Sequence, residues 1–161
     1  MGDAFLFTDD ADSAMEAARR TVQDMGAVER APAVRIGVHE GPATVRAGDV
    51  FGHTVNIATR VASEAHAGQV LVTPQVLAAS KAAQGLKPLS IGTRSFRNVS
   101  TPIELFDICH DRQSDKFIDP VCQMLISAEA AVATLKQEGD TLFFSSVECL
   151  KRFVEAAGTK P

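Results

Sequence analysis

Asn56 and Arg60 stand four residues apart in a stretch with helical periodicity, so an amide and a guanidinium leave one helix face a single turn apart. Asp49 lies just upstream, in Gly48-Asp49-Val50-Phe51-Gly52-His53, a loop that leads into that helix. A carboxylate, an amide and a guanidinium so spaced can all touch one nucleotide. A carboxylate accepts hydrogen bonds, an amide both donates and accepts them, and a planar guanidinium suits phosphate oxygens. The apolar residues Val55, Ala58, Ala62 and Ala65 repeat at helical spacing on another stripe, which predicts a core face there and leaves Asn56, Arg60 and Ser63 directed elsewhere.

The elements that must hold this helix can be read on either side of it. Thr8 to Asp12 suit a helix start, and Ala11, Ala14, Met15, Ala18, Val22 and Met25 give the following helix its apolar stripe, with Gly26 as a stop. Val34, Ile36 and Val38 alternate with Arg35, Gly37 and His39, as in a strand with one buried face. Gly37 inside it marks either a bulge or a place where another backbone approaches. Val70 to Val72 reads as a buried strand, and Thr73-Pro74 opens a short helix through Ser80, with Pro at the tolerated first position. Ile91 to Phe96 and Ile103 to Ile108 flank a polar turn with Asn98, Ser100 and Pro102, a terminal hairpin. Residues 111–116 are polar and aperiodic, which predicts a linker between a domain over 1–110 and a small module over 117–157.

Composition excludes several classes. The 161 residues are 45% hydrophobic and 22% charged, ordinary for a chain that buries a core. Net charge is −4, with 10 basic and 12 acidic residues up to His110 and 6 and 8 after it, so no nucleic-acid footprint is expected. No apolar run approaches the roughly 20 residues that span a bilayer. Cys109, Cys122 and Cys149 are an odd number without a Cys-x-x-Cys pair, which suits a reducing cytoplasm. His39 and His53 read as packing or hydrogen-bonding residues rather than metal ligands.

In order along the chain, Gly2-Asp3-Ala4-Phe5-Leu6-Phe7, Val34-Arg35-Ile36-Gly37-Val38-His39-Glu40-Gly41-Pro42, the Asn56/Arg60 helix, Gly68-Gln69-Val70-Leu71-Val72-Thr73 and Pro102-Ile103-Glu104-Leu105-Phe106-Asp107-Ile108 resemble the catalytic domain of class III nucleotidyl cyclases. The resemblance runs from Met1 to about Cys109. It implies an α/β, ferredoxin-like cyclase fold and the conversion of ATP to cyclic AMP and pyrophosphate by a phosphorus–oxygen lyase. By residue, Asp3 matches one of two aspartates that hold Mg2+ or Mn2+, and Asn56 and Arg60 match the pair that orients the ribose and stabilises the transition state. Asp49 matches the base-selecting position, where a carboxylate accepts from adenine's amine and opposes guanine's carbonyl, so ATP is the expected nucleotide. Arg97 matches a basic position that contacts the terminal phosphates. The resemblance also implies a homodimer, with Asp3 of one chain facing Asp49, Asn56 and Arg60 of the other.

The family's first strand, which carries the other metal aspartate, the helices after it and a base-selecting lysine have no match in this sequence. The chain is therefore expected to be an N-terminally incomplete cyclase domain, nearly inactive by itself, since one carboxylate cannot hold two divalent ions. A non-catalytic regulatory or nucleotide-binding module is the alternative. After the linker, Asp119-Pro120-Val121-Cys122-Gln123-Met124 and Leu142 to Phe153 resemble a YHS domain. There Cys122 and Cys149 match soft ligands suited to Zn2+ or Cu+, and metal or redox sensing through the tail is a further alternative. Ser145 stands at a frequent cysteine position, and two thiolates leave half a tetrahedral shell open, which favours buried, inert cysteines.

Overall fold

Asp10 starts the first helix: its Oδ1 accepts from the backbone N–H groups of Asp12 and Ser13 at 3.0 and 3.1 Å, satisfying donors that an N-terminal turn leaves free. The helix, α1 (Ala11–Ala27), buries Met15, Ala18 and Val22 at the spacing its sequence carries. The structure, a computed structural model, describes residues 10–110 and 116–158. They fall into two compact units. Residues 10–22 and 35–110 form one, and residues 23–34 and 116–158 the other.

In the first unit, β1 (Ile36–Val38) is followed by a small hairpin of β2 (Thr44–Arg46) and β3 (Asp49–Phe51). Its two-residue turn, Ala47-Gly48, has φ of 52° and 85°, the double positive φ of a type I′ connection. Then come α2 (His53–Glu64), β4 (Val70–Val72), α3 (Pro74–Ala79), β5 (Leu89–Arg94) and β6 (Ile103–Asp107). Four of the strands make one sheet in the order β1-β4-β6-β5, parallel between β1 and β4 and antiparallel elsewhere. A bulge between Ser90 and Gly92 shifts the register of the last pair.

The face of α2 that enters the core differs from the stripe read in the sequence. Ile57, Val61 and Ala65 are buried, packed with Leu71, Ile103 and Leu105, whereas Val55, Ala58 and Ala62 are only half-buried. The reason lies on β1. A Cβ at Gly37 would overlap Ala62 N and come within 2.7 Å of Ala58 O, so the helix backbone rests on the strand at its two alanines. The small residues mark close approach, and the large ones one step around the helix fill the core. Gly37 is thus explained by a helix rather than by a bulge.

The second unit contains β7 (Lys116–Ile118) paired with β8 (Leu125–Ser127), a hairpin of β9 (Ala133–Gln137) and β10 (Asp140–Phe144), and α4 (Val147–Gly158). Lys116, placed in the expected linker, belongs to β7; residues 111–115 lie outside the described residues. Residues 30–33 pair with the loop entering β8: Arg30 N donates to Leu125 O at 2.9 Å, Leu125 N to Ala31 O at 2.8 Å, and Ala33 N to Gln123 O at 2.9 Å. Glu29 accepts from Ser127 N at 3.0 Å and pairs with Lys116 at 3.5 Å. Buried Ala31, Leu125, Ile126 and Phe144 form the core, with Phe153 set edge-on to Phe144 at 5.5 Å. What recruits residues 23–34 to this unit is the backbone pairing of 30–33, not any periodicity of their own.

Replacing Gly37 by Ala should destabilise the protein by about 2–3 kcal/mol, the upper part of the range for overpacked sites, because the obstructing atoms are backbone and cannot rotate away. Urea unfolding followed by far-ultraviolet circular dichroism measures this. A loss below about 0.5 kcal/mol would show that α2 can lift from β1 at little cost.

Candidate functional site

Gly52, at φ 136°, turns the chain from β3 into α2, and Thr54 Oγ1 donates to Pro42 O at 2.6 Å, tying the first turn of the helix back to the loop after β1. From this anchored start, Asn56 and Arg60 follow one turn apart. Asn56 is exposed and Arg60 half-buried. Asp49 is exposed at the start of β3, paired in register with Arg46 across the type I′ turn.

Arg60 is held by a backbone group. Its Nη1 donates to the carbonyl oxygen of Arg97, in the loop joining β5 and β6, where Asn98 takes the left-handed conformation at φ 63°. A neutral carbonyl orients a guanidinium without cancelling its charge, and one bond leaves four of five N–H donors for a ligand. No carboxylate pairs with Arg60 among the described residues. The structure thus joins Arg60 to the loop bearing Arg97. The exposed Arg97 side chain is not itself joined to Asn56 or Asp49 by any hydrogen bond described. Asp3 lies outside the described residues.

A cleft of about 580 Å3 is lined in part by His39, Glu40, His53, Thr54 and Glu104, and by none of Asp49, Asn56, Arg60 or Arg97. His39 Nδ1 lies 2.9 Å from Thr73 Oγ1. Thr73, expected to start α3, does so by backbone position while its side chain makes no cap bond. Burial lowers the pKa of His39, and the nearby His53 charge lowers it further.

In the second unit, Asp119, Cys122 and Cys149 offer one oxygen and two sulfurs that all lie within 4.8 Å of one another. Burial alone would raise the pKa of Asp119, but donors outweigh it. Ser145 N (2.7 Å), Val121 N (2.8 Å), Ser145 Oγ (2.8 Å) and Cys122 N (3.2 Å) hold the carboxyl well below the usual range. Desolvation pushes the Cys122 thiol up. Cys122 is exposed and Cys149 half-buried, which corrects the expectation of buried cysteines: the loop Asp119–Gln123 turns its backbone, not its thiol, inward. Asp119 was not among the ligands read from the sequence. Its signal was present in the Asp-Pro-x-Cys spacing, where an acid ahead of a turn bonds the N–H groups two and three residues on.

A helix bearing Asn56 and Arg60, a hairpin bearing Asp49 and a mixed sheet are the elements of a nucleotidyl cyclase catalytic domain. The profile of the adenylate and guanylate cyclase catalytic domain matches residues 7–97, more than half of the chain, and the chain belongs to that family. It is 48% identical over 73 residues to an adenylate cyclase of Streptomyces griseus, a match spanning 45% of this chain and 18% of that protein. To the pH-sensitive adenylate cyclase MT1302 of Mycobacterium tuberculosis it is 39% identical over 80 residues, 48% of this chain and 20% of that protein. The matched part therefore spans about a fifth of the length of these relatives. In fold it is similar to an adenylate/guanylate cyclase/hydrolase from Silicibacter pomeroyi, with TM-score 0.57, 23% identity, and coverage of 65% of this chain and 66% of that one. The catalytic core of a rhodopsin-guanylyl cyclase with converted specificity gives TM-score 0.53 and 22% identity, covering 64% and 59%. No helix among the described residues is long and apolar enough to cross a membrane.

His39 sets a sign for pH dependence. Its folded pKa is below the unfolded value, so its contribution is full at alkaline pH and is lost as pH falls through about 6.5 toward the folded pKa, where the unfolded chain takes the proton first. Stability of the native protein should therefore drop between about pH 7.5 and 5.5 more steeply than that of His39→Asn, which keeps a donor toward Thr73 but cannot titrate. Parallel slopes in urea midpoint against pH would refute this assignment.

Proposed function

We propose that the chain is the nucleotide-recognising part of an adenylate cyclase that forms cyclic AMP and pyrophosphate from ATP. The observation that carries this is the anchoring of Arg60 on the Arg97 carbonyl, one helical turn from Asn56, within the span that matches the family. Asp49 accepts from the exocyclic amine of adenine and disfavours the carbonyl of guanine. Asn56 bonds the ribose and fixes its 3′-hydroxyl toward the α-phosphate. Arg60 places its free N–H groups on the equatorial oxygens, where charge grows in the transition state. Arg97 neutralises the terminal phosphates. Each site would lie between two copies of the chain, Asp3 of one meeting these residues of the other.

Mg2+ or Mn2+, which the family match implies, would activate the 3′-hydroxyl and bridge the polyphosphate when bound. Asp3 is the residue that would hold it, with a second carboxylate that has no match here. Among the described residues of the first unit no group of three acids, histidines or cysteines gathers. Nucleotide binding in a cytoplasmic protein without turnover is the second reading, since Asp49, Asn56 and Arg60 can hold a nucleotide without acting on it.

Residues 1–161 by themselves, incubated with ATP and manganese, should give cyclic AMP far more slowly than a complete cyclase. A comparable rate would overturn the requirement for a second carboxylate. In a chain extended upstream with a strand carrying the family's other metal aspartate, Arg60→Ala should lower kcat on the order of 100-fold or more and leave KM little changed. An effect confined to KM would make Arg60 a ground-state binding residue, and nucleotide binding with no turnover in either chain would favour the second reading.

A further inference from the structure

The Ser145 hydroxyl has a single proton and three neighbours. It donates to Asp119 Oδ2 at 2.8 Å, so toward Cys122 Sγ at 3.2 Å and Cys149 Sγ at 3.7 Å it can only accept. A hydroxyl therefore occupies the middle of a triangle made of one carboxylate and two thiols. The triangle is framed firmly. Asp119 N donates to Met124 O at 2.9 Å and Gln123 N to Asp119 O at 2.9 Å, closing the turn that carries Cys122, while Cys149 N donates to Ser146 Oγ at 3.1 Å in the first turn of α4. One side is open, because Cys122 is exposed.

We propose that Asp119, Cys122 and Cys149 form a site for a zinc-class divalent ion, which enters as the Ser145 hydroxyl turns aside. Ligand atoms within 4.8 Å of one another need only a modest contraction to reach the roughly 2.0–2.3 Å bond lengths of tetrahedral zinc, with water in the fourth position. Two sulfurs and a hard oxygen suit a borderline ion and disfavour cuprous copper, which selects soft donors throughout. Charge is conserved: the ion adds two positive charges and the two thiols release two protons, so the site keeps the single negative charge of Asp119. Asp119 retains its bonds from Ser145 N, Val121 N and Cys122 N, and the one it gives up is that of the Ser145 hydroxyl. The site lies in the second unit and does not depend on the cyclase reading.

The test is titration of the reduced, full chain with cobalt(II), then zinc(II). The chain has no Trp and no Tyr, so thiolate-to-cobalt absorption in the near ultraviolet is unobscured. One cobalt per chain with tetrahedral visible bands, bleached by one zinc, is expected. Cys122→Ser and Cys149→Ser should each lose about half of the thiolate band and weaken affinity at least 10-fold, as even losses outside the ligand shell cost 10–100-fold. Asp119→Asn can fail to fold, since that carboxylate also holds the turn, so Ser145 supplies the independent check. Ser145→Ala should bind as tightly or more tightly, and Ser145→Cys should bind more tightly and add thiolate absorption. Absence of any thiolate band in the reduced native chain, or a band that survives Cys122→Ser unchanged, would overturn the proposal. So would a loss of binding in Ser145→Ala with circular dichroism unaltered, because the hydroxyl would then be a ligand rather than an occupant.

Discussion

The first unit depends on the missing side chain of Gly37. Because α2 lies with Ala58 and Ala62 directly on the β1 backbone, its rotation about its own axis is fixed to within what that contact tolerates. That rotation decides everything carried on the helix. Ile57, Val61 and Ala65 are turned to Leu71 and Leu105, and Asn56 is left facing out of the core. A helix held by large interdigitating side chains could settle in several nearby rotations; one held backbone to backbone has fewer choices. The positioning of Asn56 and Arg60 by rigid elements begins here, at a residue without a side chain.

The second constraint on the site comes from a loop. Arg60 spans from α2 to the turn around Asn98, so the guanidinium reports the position of two elements at once. A long cationic side chain free in solvent gives up much rotamer entropy when it binds a ligand. Tethering one N–H to a carbonyl removes part of that freedom beforehand, without the charge compensation that a carboxylate would impose. In the second unit Asp119 does related work: one fully buried carboxylate gathers four donors and so fixes both the turn before β8 and the start of the segment leading to α4.

Much of the first unit was legible because its signals are local. Val70 to Val72 is a short apolar run and forms the fully buried β4; Thr73-Pro74 begins α3; the hairpin of β5 and β6 follows its polar turn. The placement of Asn56 and Arg60 on one helix needed only the four-residue spacing. Where reading failed, the deciding partner was distant in sequence. Which apolar stripe of α2 enters the core depends on Gly37, and a stripe of alanines looks like a core face until the strand beneath it is known to lack a side chain. The Thr73 hydroxyl turns to His39, 34 residues away, instead of capping its own helix. Asp119 meets Cys149 only because residues 119–124 and 144–149 are brought together by Ser145, whose N–H and hydroxyl both reach one carboxylate oxygen. A search for sulfur ligands alone passes over such an oxygen.

The backbone pairing of residues 30–33 with residues 123–125 has a consequence for synthesis. The ion pair of Glu29 with Lys116 and the bond from Ser127 to Glu29 also close long loops, the latter spanning 98 residues. A ribosome adding about 5–20 residues per second leaves the early segment without its strand partner for roughly 5–20 seconds. During that time residues 30–33 present an unpaired edge, and Pro32 is placed within it, where a missing N–H limits pairing with a neighbouring nascent chain. The order in which the chain emerges thus sets a window of exposure that the finished protein no longer shows.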